Sequence, residues 1–152
     1  MTSDAVNLRI ATASDCDDVK ACAAEAYALY VPRMGRKPAP MVADFAAPIA
    51  AGHVHVAAAD DAFAGFIVLY PRGDHIHVEN VAIYPAVQGR GIGKALLAFA
   101  ETEAKRQGLA AIELYTNAMM TENQRFYPHL GYIETGRRDE DGFARVYYRK
   151  DL

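Results

Sequence analysis

Residues 80–101 read NVAIYPAVQGRGIGKALLAFAE, in which three glycines come directly before an apolar, alanine-rich run. The run predicts a helix from about Arg90 to Gln107. A helix N-terminus presents backbone N–H groups and the positive end of the helix dipole, so it suits a phosphate or pyrophosphate group. Glycines before it let the backbone approach an anion because no Cβ stands in the way. With Arg90 and Lys94 as cationic donors, the stretch predicts a site for a phosphate-bearing ligand.

The spacing of the glycines excludes two common nucleotide motifs. The glycines are Gly89, Gly91 and Gly93. A dinucleotide-binding G-x-G-x-x-G would need a further glycine where Lys94 or Leu96 stands. A Walker A loop would need glycine in place of Gln88, and Ser or Thr in place of Ala95. Considered alone, the glycines are also compatible with a helix start that binds no ligand.

The remaining pattern predicts a layered α+β (or α/β) domain over residues 1–152, with the order β-α-α-β-β-β-α-β-α-β-β. The predicted strands are 6–12, 53–59, 62–70, 75–84, 111–117, 132–138 and 143–150. The predicted helices run from Ser14 or Asp15 to about Tyr30, from Met41 to Ala51, from about Arg90 to Gln107, and over 121–131 with Thr121 as the cap. The proline-rich stretch 31–40 is predicted as a loop. Asp60-Asp61 and Asp141-Gly142 are predicted to be tight turns.

Composition narrows the class of protein. A chain of 152 residues suits one domain with one core. The net charge of −3 argues against nucleic acid or an anionic membrane as the main partner. No apolar run reaches the roughly 18 to 20 residues that span a membrane, and no secretory segment opens the chain, which predicts the cytoplasm. Cys16 and Cys22 are expected to be buried, reduced thiols.

Residues 88–93, QGRGIG, resemble the Q/R-x-x-G-x-G/A motif of the GNAT superfamily of N-acetyltransferases, and residues 122–132, ENQRFYPHLGY, resemble a later motif of that family. The order of elements resembles the family as well, over essentially the whole chain. The resemblance implies a single mixed, mostly antiparallel sheet with helices on both faces, and acetyl-CoA as donor. It places the pyrophosphate on the glycine loop and the pantetheine arm along the preceding strand. The residues that it assigns to the coenzyme are Val81, Ala82, Ile83, Gln88, Gly89, Arg90, Gly91, Ile92, Gly93, Lys94 and Asn123.

Acetyl transfer to an amine needs a base, an oxyanion donor and an acid. The amine must lose a proton before it attacks the thioester. The resemblance gives Tyr127 as the acid that protonates the leaving thiolate, with a core aromatic role as the alternative. Glu79 is the candidate base because it lies on the strand that leads into Val81 and Ala82, and the resemblance implies that a backbone N–H group of the Val81–Ala82 region is the oxyanion donor. His77 shares the face of Glu79 by strand alternation and competes for the same role. The alternative for Glu79 is a surface carboxylate or an ion-pair partner of an arginine.

Two asparagines compete for the coenzyme arm. Family members often carry Asn seven positions before the tyrosine, where this chain has Met120. Asn123 is therefore the candidate, with a solvated helix position as the alternative. Asn117 ends a predicted strand and is compatible with a turn.

The stretch 27–45 corresponds to the part of the family that contributes much of the acceptor site. An apolar wall is predicted from Tyr27, Tyr30, Met41 and Phe45. Arg33 and Arg36 are candidates for an acid group on the acceptor, and Asp44 for an ammonium. A loop followed by an amphipathic helix that covers the sheet is the alternative.

Three functions remain open: N-acetylation of a small-molecule primary amine, which the resemblance favours, N-acetylation of a protein or peptide, and CoA sensing without turnover. No metal is expected, because the histidine pairs His53/His55 and His75/His77 lack a nearby Cys or Asp set. A homodimer is left open.

Overall fold

The computed structural model describes residues 6–152. Its strands are β1 (Val6–Ile10), β2 (Val54–Ala59), β3 (Ala62–Arg72), β4 (His75–Ile83), β5 (Ala111–Asn117), β6 (Ile133–Glu140) and β7 (Phe143–Asp151). Its helices are α1 (Cys16–Tyr27), α2 (Tyr30–Met34), α3 (Ala46–Ala50), α4 (Ile92–Arg106) and α5 (Asn123–His129). Short 3₁₀ turns lie at Ala13–Asp15, Ala39–Met41 and Pro85–Val87.

All seven strands form one sheet in the order β1-β2-β3-β4-β5-β7-β6. Every neighbouring pair is antiparallel except β4–β5, so the predicted mixed, mostly antiparallel sheet is confirmed. Asp60 and Asp61 both have left-handed φ angles, 53° and 62°, and join β2 to β3 as the predicted tight turn. Asp141 and Gly142, at 54° and 79°, do the same between β6 and β7.

The sheet is covered on both faces, here called the α1 face and the α4 face. On the α4 face, α4 buries Ile92, Leu96, Leu97, Ala100 and Ala104 against the sheet, at the spacing of one helical stripe. On the α1 face, α1 packs with Phe45 of the α3 segment. The largest fully buried side chains of that face are Phe45, Phe66, Val19, Val54, Val56 and Val68. Among residues 6–152, no helix combines the length and apolar character that crossing a membrane demands.

The centre of the sheet opens between β4 and β5. Their parallel pairing runs only from His75–Ala111 to Val78–Leu114. On the other side of β4, Val68 pairs with Asn80 and Leu69 pairs with Val78, so Glu79 is the extra residue of a bulge. A bulge bends and twists its strand, and here it lies where the β4–β5 pairing stops. The second half of β4 therefore has one edge without a strand beside it.

The chain between residues 14 and 41 folds differently from the prediction. One helix through Tyr30 is wrong, because α1 ends at Tyr27 and a separate helix, α2, occupies part of the predicted loop. Pro32 lies in the first turn of α2, where no backbone donor is needed. Gly35 closes α2 with a left-handed φ of 73° and donates its N–H to the Val31 carbonyl at 2.9 Å.

The helix predicted from Met41 to Ala51 is also shorter than expected. Met41 belongs to the 3₁₀ turn that ends there, and α3 begins only at Ala46. The Asp44 carboxylate accepts the Ala46 N–H at 3.0 Å, which stabilises a turn immediately before the helix.

Other boundaries shift by a few residues. β1 ends at Ile10 because the Thr12 N–H turns to the Asp15 carboxylate at 2.8 Å. α4 begins at Ile92 and not at Arg90, since left-handed Gly91 precedes it. The predicted Thr121 cap is wrong, because Glu122 is the residue that flanks α5.

Candidate functional site

A cleft of about 1300 Å³ passes through the gap between β4 and β5. Tyr27, Pro40 and Asp44 line it from the α1 face, whereas Gly93 and Tyr127 line it from the α4 side. Two molecules that enter from opposite faces of the sheet can therefore meet at the gap.

The glycine loop forms the α4 end of the cleft. Gly89 and Gly91 are exposed and left-handed, with φ of 83° and 81°. Apart from the glycine itself and its two chain neighbours, no atom of the described residues lies within 4 Å of the place where a Cβ on either glycine would stand. The first bond of the α4 ladder runs from the Ala95 N–H to the Gly91 carbonyl at 3.0 Å. The amides of Ile92, Gly93 and Lys94 precede that ladder, and such amides are the donors that bind anions at helix starts.

Gly93 has a packing role besides lining the cleft. A Cβ on it would stand 3.3 Å from Ile83 Cδ1 and 3.5 Å from Phe126 Cζ. The absence of a side chain at Gly93 thus lets α4 approach both β4 and α5 closely.

The charged and polar residues of the loop differ in what they contact. The Arg90 guanidinium pairs with Asp60 at 2.7 Å, and Arg90 is not among the residues that line the cleft. Lys94 is exposed and lines the cleft. The Gln88 side chain also lines it and donates to the Ile83 carbonyl at 3.4 Å. Lys94 is therefore the cation of this loop that faces the cleft directly.

The hydrogen bonds between β4 and β3 show which amides of β4 face the gap. The Tyr84 N–H donates to the Ala64 carbonyl at 2.9 Å. Hydrogen-bonding positions alternate along an antiparallel pair, so the amide of Ala82 also points to β3, whereas those of Val81 and Ile83 point to the gap.

A buried polar group beside the gap was not predicted from the sequence. The Tyr27 hydroxyl lies 2.8 Å from Asn80 Oδ1 and 2.9 Å from the Val81 carbonyl, and it can donate its proton to either. Asn80 Nδ2 donates to the Pro40 carbonyl at 3.1 Å, and Asn80 is only 5% exposed. Burial raises the pKa of Tyr27 well above its ordinary value, so the phenol stays neutral. These contacts fix α1, β4 and the Ala39–Met41 turn together around the cleft.

Tyr127 of α5 lies both in the core and on the cleft wall. Its ring packs against Phe126, Tyr132 and Tyr148, with centroids 5.3 to 5.8 Å apart. Burial, followed by the nearby Tyr30 hydroxyl, raises the pKa of Tyr127, which keeps the phenol protonated at neutral pH. The sequence left the acid and core roles as alternatives, and the geometry is compatible with both at once.

The two candidate bases differ in exposure. Both contact Tyr70, so they lie on one face: Glu79 accepts from its hydroxyl at 3.3 Å, and the His77 ring is 5.4 Å from its ring. Glu79 is exposed and lines the cleft. His77 is 7% exposed, and burial, followed by the positive charges of Arg72 and His75, lowers its pKa to about 4. His77 is therefore neutral at physiological pH and a poor proton acceptor.

Asn123, Asn117 and Met120 all line the cleft near the end of β5. Asn123 Nδ2 donates to the Thr116 hydroxyl at 3.0 Å and is half-buried, so it is not a solvated helix position. The Asn117 side-chain carbonyl oxygen accepts the Met119 N–H at 2.8 Å, which is the turn contact that the sequence left open. Met120 is buried with the α1-face cluster.

Only some of the residues predicted to hold an acceptor line the cleft. Arg33 already pairs with both oxygens of Glu122, at 2.8 and 3.2 Å. Arg36 stacks over the Phe143 ring at 4.0 Å and does not line the cleft. Asp44 is exposed and lines the cleft, and Tyr30 and Phe45 line it from the core.

One acid and histidine cluster lies away from the cleft. Asp74, His75 and Glu113 bring potential ligand atoms within 4.8 Å of one another. Arg149 donates to Glu113 at 2.6 Å and to Asp74 at 3.1 Å. A guanidinium thus already supplies positive charge to these carboxylates.

The chain is similar to known acetyltransferases. The model of the acetyltransferase (GNAT) family matches residues 23–132. The aminoalkylphosphonate N-acetyltransferase of Salmonella typhimurium is 31% identical over 90 residues, 55% of this chain and 58% of that protein. The uncharacterized N-acetyltransferase YvbK of Bacillus subtilis is 30% identical over 97 residues, 63% of this chain and 62% of its own length. The chain therefore spans less than two thirds of these curated relatives.

Solved structures share the fold. PaiA N-acetyltransferase from Thermoplasma acidophilum, in complex with coenzyme A, superposes with a TM-score of 0.78 at 18% identity, over 97% of this chain and 99% of that one. YncA from Salmonella typhimurium, with its cofactor acetyl-CoA, gives 0.74 at 18% identity, over 97% and 94%. At these identities the likeness establishes the architecture.

Proposed function

The chain belongs to the acetyltransferase (GNAT) family, and from that premise we propose that it transfers the acetyl group of acetyl-CoA to a primary amine of a small molecule. The observation that carries the proposal is the cleft through the β4–β5 gap, lined from both faces of the sheet. The coenzyme enters from the α4 side and the amine from the α1 face. The amine attacks the thioester directly at the gap.

The diphosphate of the coenzyme lies on the start of α4. The amides of Ile92, Gly93 and Lys94 donate to it, and left-handed Gly89 and Gly91 leave space for it. Lys94 adds a positive charge on the cleft side. Arg90 acts from behind the loop, where its pairing with Asp60 holds the turn to the β2–β3 connection.

The pantetheine arm lies along the free edge of β4. Val81 and Ile83 offer it their gap-facing amides, in the manner of an added strand. Ala82 offers the arm no hydrogen-bond donor, because its amide points to β3. The Val81 N–H is the donor for the oxyanion that forms on the attacked carbonyl. Asn123, held by Thr116, lies where the arm leaves the gap toward α5.

The protons move at two side chains. Glu79, exposed at the bulge, takes the amine proton, directly or through water, and the freed amine forms the new C–N bond. When the C–S bond breaks, the Tyr127 hydroxyl donates to the departing sulfur. Because burial raises its pKa, this phenol acts chiefly as a hydrogen-bond donor to the thiolate. His77 is the weaker candidate base because its pKa lies near 4.

A small acceptor is favoured over a protein chain by the walls of the α1-face end. The ion pair of Arg33 with Glu122 joins α2 to the start of α5. The Asn80–Pro40 hydrogen bond holds the turn at 39–41 against β4. Similarity to an enzyme named for aminoalkylphosphonates also supports a small amine. We place the reaction in the cytoplasm, without a metal, with Cys16 and Cys22 as free thiols.

A thiol-release assay with acetyl-CoA tests the proposal. The acceptor panel contains amino acids, aminoalkylphosphonates, polyamines, aminoglycosides and peptides. Rapid thiol release with at least one small amine, and slower release with peptides, is the expected result. Tight CoA binding with no release for any amine would instead identify a sensor, and preference for peptides would identify a protein acetyltransferase.

A further inference from the structure

Arg145 of β7 is a partly shielded cation on the wall of the cleft. Its side chain is 12% exposed, and its guanidinium stacks over the Tyr115 ring at 4.4 Å and lies 5.9 Å from the centre of the Phe143 ring. Stacking between aromatic rings holds a guanidinium in one plane and leaves its edge donors available. Arg145 lines the cleft.

Carboxylates near Arg145 do not saturate it. Glu140 and Asp141 lie 3.8 and 3.9 Å from Nη1, beyond normal hydrogen-bond length. The Glu140 oxygen in question also accepts the Tyr147 hydroxyl. By contrast, Arg33, which the sequence favoured for an acid group, is engaged by both oxygens of Glu122. Arg145 thus keeps donors for an incoming anion.

The position of Arg145 relates it to the acceptor and not to the coenzyme. The other Lys and Arg side chains that line the cleft are Lys94 on α4 and Lys150, which pairs with Glu101 of α4 at 2.9 Å. Arg145 contacts Tyr115, whose ring packs on His77 of the α1 face at 6.0 Å. Among the described residues of the cleft, it is the one Lys or Arg on that face.

The distance along the sheet suits a short molecule. Arg145 pairs in register with Asn117, three residues past Leu114, where the β4–β5 pairing ends. At the rise of a strand, three residues span roughly 10 Å. The Arg145 guanidinium stacks over Tyr115, the residue directly after Leu114, so the side chain reaches from its backbone position back toward the gap. The distance from the gap to the guanidinium is therefore shorter than this backbone separation, which suits a short acceptor.

We propose that Arg145 recognises an anionic group, a carboxylate or phosphonate, on the acceptor amine. This inference rests on the proposed function and names the class of its substrate: a short amine that carries an oxyanion. A guanidinium binds either oxyanion through paired N–H donors, so the chemistry is shared and the assay separates the two.

Matched acceptors and variants test the role. The anionic probes, named for their acid group, are β-alanine and 2-aminoethylphosphonate, and the counterparts that lack this group are β-alaninamide and ethylamine. Arg145→Gln should raise KM for the anionic probes at least about tenfold, the loss of one charge-assisted contact, and change KM for the counterparts less than about twofold. Arg145→Lys should recover only part, because an ammonium lacks the planar fork.

Arg138→Gln is the control variant. Arg138 pairs with Arg145 in register, stacks over Tyr147 at 4.3 Å and does not line the cleft. Its loss should leave both acceptor series unchanged. Equal effects of Arg145→Gln on both series, or a wild-type protein that does not prefer anionic amines, would overturn the proposal.

Titration calorimetry with CoA-loaded protein separates this proposal from the proposed function. If no amine gives thiol release, the proposed function fails, but the anionic probes must still bind more tightly than their counterparts and lose that advantage in Arg145→Gln. Binding without this difference rejects the role of Arg145 whatever the turnover.

Discussion

At the residue scale, the glycine loop shows how one conformation can serve a ligand. Gly91 precedes α4 with a φ of 81°, which side-chain-bearing residues rarely adopt. Nothing in the described chain occupies the space beside it. The sequence predicts this feature because three closely spaced glycines before an apolar run are typical of a tight turn that opens a helix. The sequence also identifies Tyr127 as a candidate, because the motif that contains it is a continuous stretch of the chain.

Gly91→Val should weaken CoA binding at least about tenfold, since the new side chain strains the turn and blocks the approach of the diphosphate. Gly108→Val is the matched control: Gly108 has a φ of 73°, open space around it, and lies just beyond the other end of α4. Both variants should lose similar stability in thermal unfolding. Equal CoA affinity of the two, measured by calorimetry, would contradict the assignment of the loop.

Tyr127→Phe should lower kcat by about a hundredfold, the usual scale of losing one hydrogen-bond donor to the charge that develops in the transition state, and leave CoA affinity nearly unchanged. The phenyl ring keeps the contacts with Tyr132 and Tyr148, so folding should survive. Thiol release and CoA titration are the measurements. Undiminished turnover would assign Tyr127 to the core alone, as would an equal loss of turnover and affinity.

At the element scale, the cleft depends on contacts that no local pattern reveals. Asn80 stands in an apolar strand, and its partners Tyr27 and Pro40 are 53 and 40 residues away. The bulge at Glu79 helps bring the Asn80 side chain to the α1 face. No sequence pattern predicts this bulge, which is visible only in the pairing of β3 with β4. The sequence could place Tyr27 only in an apolar wall. The element bounds predicted between residues 31 and 51 are wrong for a related reason, because Gly35 ends α2 and Asp44 precedes α3.

Asn80→Ala should destabilise the fold by about 1–3 kcal/mol, because it leaves the Pro40 carbonyl without its donor and restricts the Tyr27 hydroxyl to the Val81 carbonyl. Tyr27→Phe removes one of the same contacts from the other side. A double-mutant cycle in urea should give a coupling energy of at least about 0.5 kcal/mol. Purely additive losses would show that the two side chains do not act as one group.

At the scale of the whole molecule, the cleft depends on the interrupted pairing of β4 with β5. β4 and β5 pair from His75 to Val78 and separate beyond Val78, where we propose that the two ligands meet. The order of elements predicts the mixed sheet, but where two strands part depends on the bulge and the packing on each face. The aromatic rings around Arg145 could not be predicted from local sequence either, because Tyr115 lies on β5 and Phe143 on β7.

Stability should fall in mild acid through His77. Its folded pKa, near 4, lies below the ordinary value of 6.5, so the unfolded chain takes up a proton first as the pH drops. The loss begins below pH 6.5 and approaches roughly 3 kcal/mol near pH 4, at about 1.4 kcal/mol per unit. Above pH 6.5 both states are neutral and the effect vanishes.

His77→Gln is the comparison, because its side chain does not titrate. His55, whose pKa burial also lowers, and the paired Asp15, Asp74 and Glu122 remain in both proteins and cancel in the difference. Urea unfolding from about pH 7 to about pH 4.5 should show a shallower decline in the variant. Parallel declines would mean that His77 is not held neutral in the folded protein.

We propose that one cleft through the sheet receives the coenzyme from the α4 side. A crystal structure of the protein with acetyl-CoA tests it most directly. The diphosphate should accept hydrogen bonds from the amides of Ile92, Gly93 and Lys94, with the thioester carbonyl at the Val81 N–H. Coenzyme bound anywhere else, with the β4–β5 gap empty, would contradict the account.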